Sequence, residues 1–101
     1  MQLTSKEIQV ISEYFSTQPV LKAFLFGSYV RNEAETSSDI DILVDLDYSQ
    51  HIGLGFVTMK EGLEKKLKRK VDLVSSKAVS KYILPFIEKE KQLIYERKVG
   101  R

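Results

Sequence analysis

The run FLFGSYVRNEAETSSDIDILVDLD, Phe24 to Asp47, holds two apolar segments separated by a polar bend. The first segment ends in Gly27-Ser28, and the second opens with Asp39 and Asp41. Side chains two apart on a strand project the same way. If Ile40 to Leu46 is a strand, Asp39 and Asp41 therefore point together, while Ile40, Ile42 and Val44 face the core. Two carboxylates this close repel each other and are costly unless a cation or a set of donors lies between them.

The rest of the chain reads as one compact α/β domain over residues 1–101. Hydrophobic residues make up 43% and charged residues 30%, which places the chain with globular proteins rather than disordered ones. Sixteen basic against fourteen acidic side chains leave a formal charge of +2, so nucleic-acid binding cannot be argued from overall charge. There is no cysteine, which excludes a disulfide framework, a thiolate metal site and a cysteine nucleophile. No apolar run is long enough to span a bilayer, and MQLTSKEIQVISEYF lacks the features of a signal peptide. A cytoplasmic protein is the expectation.

Working outward, Thr4-Ser5-Lys6-Glu7 has the form of a capping box, and Ile8, Ile11 and Phe15 follow at helical spacing until Pro19. Leu21 to Phe26 is apolar on both alternating faces apart from Lys22, which predicts a strand covered on both sides. Gly27-Ser28 permits a sharp turn, with Tyr29 to Glu33 as a short helix. Ile40 to Leu46 is the second strand. Phe56, Lys60, Leu63 and Leu67 mark one face of a helix from about Leu54 to Arg69. Val71 to Val74 makes a third strand, and Ser80 starts another helix carrying Ile83, Leu84 and Ile87. Residues 91–96 fit either a last edge strand or a continuation of that helix. This order predicts an α/β sandwich around a small mixed sheet.

Three groups of residues carry chemistry. Asp39 and Asp41 offer oxygen ligands, which suit a hard ion such as Mg²⁺; an isolated D-x-D is also a common solvated strand start. Gly27 lets backbone approach an anion closely, and Ser28 adds a hydroxyl beside the bare amides of a helix start; the same pair also serves as an ordinary capped turn. Asp72 sits in the apolar run KVDLV, an unusual place for an aspartate. If that strand lies beside the second, Asp72 completes a cluster with Asp39 and Asp41. Three carboxylates facing a phosphate-binding turn is the layout of a two-metal phosphoryl-transfer site, with ions roughly 4 Å apart.

Gly27-Ser28, ten intervening residues and then Asp39-Ile40-Asp41 resemble the signature of the DNA polymerase β-like nucleotidyltransferase superfamily. FGSYVRNEAETSSDIDILV, RKVDLV and the ending ILPFIEKEKQLIYER are similar to its smallest branch, the minimal nucleotidyltransferases, over nearly the whole chain. The resemblance implies roles. Asp39 and Asp41 would bind two Mg²⁺ ions bridging the phosphates of ATP. Asp72 would hold the catalytic ion and help activate the incoming hydroxyl, and Gly27 and Ser28 would cradle the β- and γ-phosphates. Arg31 would neutralise phosphate charge; a surface salt bridge with Glu35 is the other reading. The reaction implied is attack of a hydroxyl on the α-phosphate with release of pyrophosphate. The family's usual partner is a HEPN-domain toxin, which the enzyme inactivates by attaching AMP to a hydroxyl.

Two other functions stay open at this point. One is a non-catalytic antitoxin that neutralises its partner by complex formation; the other is transfer to an RNA end, aided by the basic segment EGLEKKLKRK. That segment more simply forms the wet face of a helix. Asp45 lies ~13 Å beyond Asp41 on an extended strand, too far to share its ions, and with Asp47 reads as a solvated strand end. His51 reads as a loop residue, and Tyr29 as the tyrosine nearest the nucleotide. Acceptor, base preference and homo-oligomeric state are not legible.

Overall fold

The computed structural model describes residues 3–35 and 38–98, so the middle of the polar bend, residues 36–37, lies outside the described residues. In chain order the elements are α1 (Ser5–Phe15), β1 (Val20–Phe26), β2 (Ile40–Leu46), α2 (Gly55–Leu67), β3 (Val71–Ser75), α3 (Leu84–Glu90) and β4 (Gln92–Glu96). A single turn of 3-10 helix, Gly27–Tyr29, follows β1 directly.

The four strands form one mixed sheet in the order β3-β2-β1-β4. β1 is antiparallel to both β2 and β4. β2 and β3 are parallel, as the helical crossover through α2 between them requires. The expected mixed sheet with packed helices is thus the observed architecture.

Local chemistry explains where the elements start and stop. At α1 the capping box forms as the sequence predicts: Glu7 N–H donates to Thr4 Oγ1 at 3.0 Å, and Thr4 N–H donates to Glu7 Oε1 at 2.8 Å. Lys68 ends α2 in the left-handed region, with φ 56°. Glu64 reaches past that end to accept Val71 N–H at 2.9 Å, which fixes the entry to β3.

The main core lies between the sheet and α1 and α2. Ile11 and Phe15 of α1 and Met59 and Leu63 of α2 meet Ile40, Ile42 and Val44 of β2, all essentially solvent-free. Together these side chains supply most of the apolar burial that stabilises the fold. Leu43 is equally buried but stands outside this cluster, on the opposite strand parity. It marks a second, smaller apolar layer, to which α3 contributes its buried Ile87. The candidate site lies on this second face.

The structure corrects several sequence expectations. Met59, not Lys60, completes the core stripe of α2, since Lys60 is exposed. The helix expected from Ser80 starts at Leu84, because Pro85 is favoured within the first helical positions and Ser80–Ile83 form turns ahead of it. Ile83 is consequently exposed. Residues 92–96 are strand, paired to β1 from Lys22↔Glu96 to Leu25↔Gln92. Beyond Gly27–Tyr29 the expected helix to Glu33 is only turn, with Arg31 N–H still donating to Gly27 O.

Asp47 is not a free strand end. It accepts from Arg97 Nη1 at 2.7 Å and from Ser49 and Gln50, and these donors hold its carboxyl well below the usual carboxylate range. The pair ties the end of β2 to the segment after β4.

The packing of α1 on α2 yields a direct test. Gly62 faces Tyr14, and an added Cβ would overlap the tyrosine hydroxyl and come within 2.9 Å of Cζ. Helix propensity alone favours Gly62→Ala by about 1 kcal/mol. Tyr14 is half-buried and lines open cavities, so its ring can swing aside for about 0.5–1.5 kcal/mol of rotamer strain. The two effects nearly cancel: we expect Gly62→Ala to shift the urea midpoint little, and the same change to raise it in a Tyr14→Ala background, where the ring is gone; no difference between the two backgrounds contradicts this packing.

Candidate active site

The site is built at the end of β1 and the adjoining starts of β2 and β3. Register places Phe26 opposite Asp41, and Asp41 opposite Asp72 on the parallel neighbour. Cross-strand partners on one face lie within side-chain reach. Asp41 and Asp72 therefore stand side by side, with Gly27 above them as the chain leaves β1.

Gly27 is a steric requirement here. Its φ is +80°, a conformation that side chains rarely adopt. A Cβ at this position would fall on Asp41 Oδ2 and lie 3.0 Å from Asp41 Cγ. The glycine thus makes room for the carboxylate beneath it.

The electrostatics of Asp41 follow from this crowding. Burial pushes its carboxyl up to about 6; the neighbouring charges of Asp72 and then Asp39, with a hydrogen bond to Asp72, push in the same direction. The Arg31 guanidinium opposes them only in part. Asp39 lies ahead of β2 and is exposed, close enough to act through its charge. Among the described residues, no three acidic or imidazole side chains converge into one ligand set. The structure brings together Asp41 and Asp72, with Asp39 as an outer charge, rather than a tight triad.

This donor set fits a hard divalent cation. The ligands are oxygen only, and Mg²⁺ typically takes one or two carboxylates while keeping its other positions for water and substrate oxygens. A cation between Asp41 and Asp72 would also offset the burial and the carboxylate repulsion that together hold a proton on Asp41.

An open cavity of about 630 Å³ lies over the carboxylates, bounded by Gly27, Arg31, Asp41, Asp72, Phe86 and Glu90 among others. Ser28 follows Gly27 at the turn, half-buried. Arg31 is on the rim of the cavity, but it does not pair with Glu35. Its Nε donates to Glu33 Oε1 at 2.9 Å and its Nη1 to Glu90 Oε1 at 2.8 Å.

Glu90 is the site residue that the sequence reading missed. It comes from the far end of the chain, and no local pattern distinguishes it from Glu88 beside it; only the β1–β4 pairing brings it to the turn. Tyr29, the tyrosine that the sequence places nearest the nucleotide, is buried, with the Arg69 guanidinium 4.9 Å from its ring centre. Arg69 also donates to Glu7 at 3.3 Å, and Lys66 lies over the Tyr14 ring, so part of the basic segment serves packing. His51 is an exposed loop residue beside Gly53.

Comparison with known proteins gives the class. Residues 9–99 match the family described as Polymerase beta, Nucleotidyltransferase, and the chain belongs to that family. Among its relatives, a Methanocaldococcus jannaschii protein provisionally named a protein adenylyltransferase is 40% identical over 74 residues, 70% of this chain and 71% of that protein. The protein adenylyltransferase MntA of Thermococcus cleftensis is 41% identical over 66 residues, 65% of this chain and 66% of that one. A solved structure of a tri-AMPylated Shewanella oneidensis HEPN toxin in complex with an MNT antitoxin shares the fold, with a TM-score of 0.70 at 19% identity, covering 93% of this chain and 73% of that one. No helix among the described residues is long and apolar enough to cross a membrane.

The raised carboxyl gives a signed prediction. A carboxyl that titrates near 6 in the folded chain, against an ordinary value of 3.8, binds more protons folded than unfolded across that interval. Stability therefore falls as pH rises from about 4 to 6, and the penalty is fully present above it. Asp41→Asn removes the penalty. Discounted for solvent screening, it is worth about 1 kcal/mol, or about 4–8 °C in Tm. We expect that gain at pH 8 without divalent ions and little at pH 4; an equal gain at both pH values contradicts the crowding.

Proposed function

We propose that the chain is a Mg²⁺-dependent protein adenylyltransferase that moves AMP from ATP to a hydroxyl of a HEPN-type toxin and so acts as its antitoxin. The observation that carries this reading is the in-register pair Asp41–Asp72 lying under a glycine that must be glycine, at the mouth of an open cavity. The relatives named protein adenylyltransferases, and the toxin–antitoxin complex that shares the fold, support the choice of acceptor. An enzyme that uses ATP in this way would work in the cytoplasm.

In this reading Asp39, Asp41 and Asp72 are the metal-binding residues, and Gly27, Ser28 and Arg31 bind the nucleotide. Asp41 and Asp72 would hold the ions, with Asp39 contributing from the strand's entry. When bound, Mg²⁺ neutralises the phosphates and lowers the pKa of the attacking hydroxyl. The backbone turn at Gly27-Ser28 and the Ser28 hydroxyl receive the β- and γ-phosphates, and Arg31 faces their charge from the rim.

The acceptor oxygen forms a bond to the α-phosphorus while the bond to the β-phosphate oxygen breaks. That oxygen keeps the electron pair and leaves as pyrophosphate. Asp72, exposed at the cavity, takes the hydroxyl proton. With no covalent enzyme intermediate in the scheme, positioning and charge stabilisation supply the rate enhancement.

The test is label transfer from α-³²P-ATP with Mg²⁺, using the purified chain and a lysate of its source. We expect a labelled protein band with the native chain, and a loss of at least about a hundredfold for Asp39→Ala and Asp41→Ala. A partner that stays neutralised by both variants, without label, would identify a binding antitoxin instead. Label in the nucleic-acid fraction, falling steeply with salt, would identify an RNA acceptor.

A further inference from the structure

We propose that Glu90 is a positioning residue for the phosphate end of the nucleotide, acting through Arg31 and the Gly27 turn. The inference rests on the reading of that turn as a phosphate site and deepens it. Glu90 Oε2 accepts the Gly27 N–H at 2.7 Å, and its two oxygens accept Arg31 Nη1 at 2.8 and 3.1 Å. One carboxylate thereby joins the backbone of the turn to the guanidinium on the cavity's rim, across 63 and 59 residues of sequence.

The bond to Gly27 has a specific consequence. Gly27 is buried and in a left-handed conformation, where its amide cannot continue the strand's regular pairing. A buried amide without an acceptor is costly, so Glu90 stabilises the very backbone that clears space for Asp41. The bond to Arg31 restricts a long side chain that is 49% exposed and would otherwise sample many rotamers. With Nε on Glu33 and Nη1 on Glu90, the guanidinium is held along one edge. Its Nη2 edge keeps its donors for another anion.

Glu90 is also well placed to stay where it is. It is the last residue of α3, and β4 begins at Gln92, paired with Leu25 of β1. Ile87, one turn earlier, is buried. The backbone on both sides is therefore pinned, and the side chain behaves as a fixed bracket rather than a flap. An alternative role, a carboxylate that competes with phosphate for the same donors, predicts the opposite effect of its removal.

The experiment measures binding of Mg²⁺·AMP-PNP to the full chain by calorimetry, for the native protein, Glu90→Gln, Glu90→Ala, Arg31→Ala and the Arg31→Ala/Glu90→Ala double variant. We expect Glu90→Ala and Arg31→Ala each to weaken binding about tenfold, as loss of a charge-assisted contact does. Glu90→Gln keeps an acceptor for Gly27 and should lose less, about threefold. The double variant should bind within about threefold of Arg31→Ala, because the two residues act as one unit. Binding of AMP, which lacks the outer phosphates, should not change between the native chain and Glu90→Ala; a general structural defect would weaken both ligands.

Tighter AMP-PNP binding by Glu90→Ala overturns the proposal in favour of competition. Unchanged binding by Glu90→Ala, or independent multiplying losses in the double variant, overturns it as well. If the native chain does not bind AMP-PNP, or Arg31→Ala binds as the native chain does, the phosphate-site reading itself fails. Loss in Arg31→Ala alone removes only the role of Glu90.

Discussion

Asp41 is held against two neighbours that do not suit an isolated carboxylate. Asp72 stands beside it in the parallel register, and the Gly27 backbone crosses above so closely that no Cβ fits between them. The arrangement is costly in the metal-free chain, and the cost appears as a carboxyl that retains its proton up to about 6. Much of the fold exists to impose this contact: the α2 crossover sets β3 parallel to β2, and the capped α1 with α2 supplies the core that fixes the register. Features of this kind, unfavourable in isolation and imposed by an otherwise regular frame, belong to binding and catalysis more often than to stability.

The sheet has two faces with different jobs. One is a dry interface with α1 and α2, where Ile11, Phe15, Met59 and Leu63 are buried. The other is only partly covered by the short α3, and its polar residues open onto a cavity. Phe86 of α3 and Ile83 just ahead of it are exposed at the edge of that cavity, beside the exposed Tyr82.

What could be read from the sequence followed from short-range rules. Period-two alternation placed β2 and aimed Asp39 and Asp41 away from the core, and the Thr4–Glu7 capping box gave the start of α1. The apolar run around Asp72 gave the third strand, and the register shows that β3 adjoins β2, the condition on which the cluster depended. Local rules failed where long-range packing decided. Met59 displaced Lys60 from the core stripe because the helix phase is set by its contact with α1 and β3, not by the apolar count alone. Residues 92–96 fold as strand because β1 offers a free edge, which no window of sequence reveals. Glu90 was invisible for the same reason, and Arg31 consequently took a different partner from the one nearest in sequence.

The most direct test of this account is a carboxyl NMR titration of Asp41, with and without Mg²⁺ and AMP-PNP. The account predicts a midpoint near 6 in the free chain, where burial and then the charges of Asp72 and Asp39 push it up. Added cation and nucleotide should move that midpoint below the ordinary carboxylate value, because the charge that Asp41 faces changes sign. A midpoint that stays near 6 with saturating Mg²⁺ and AMP-PNP would mean that this carboxylate binds no cation, and would contradict the site at its centre.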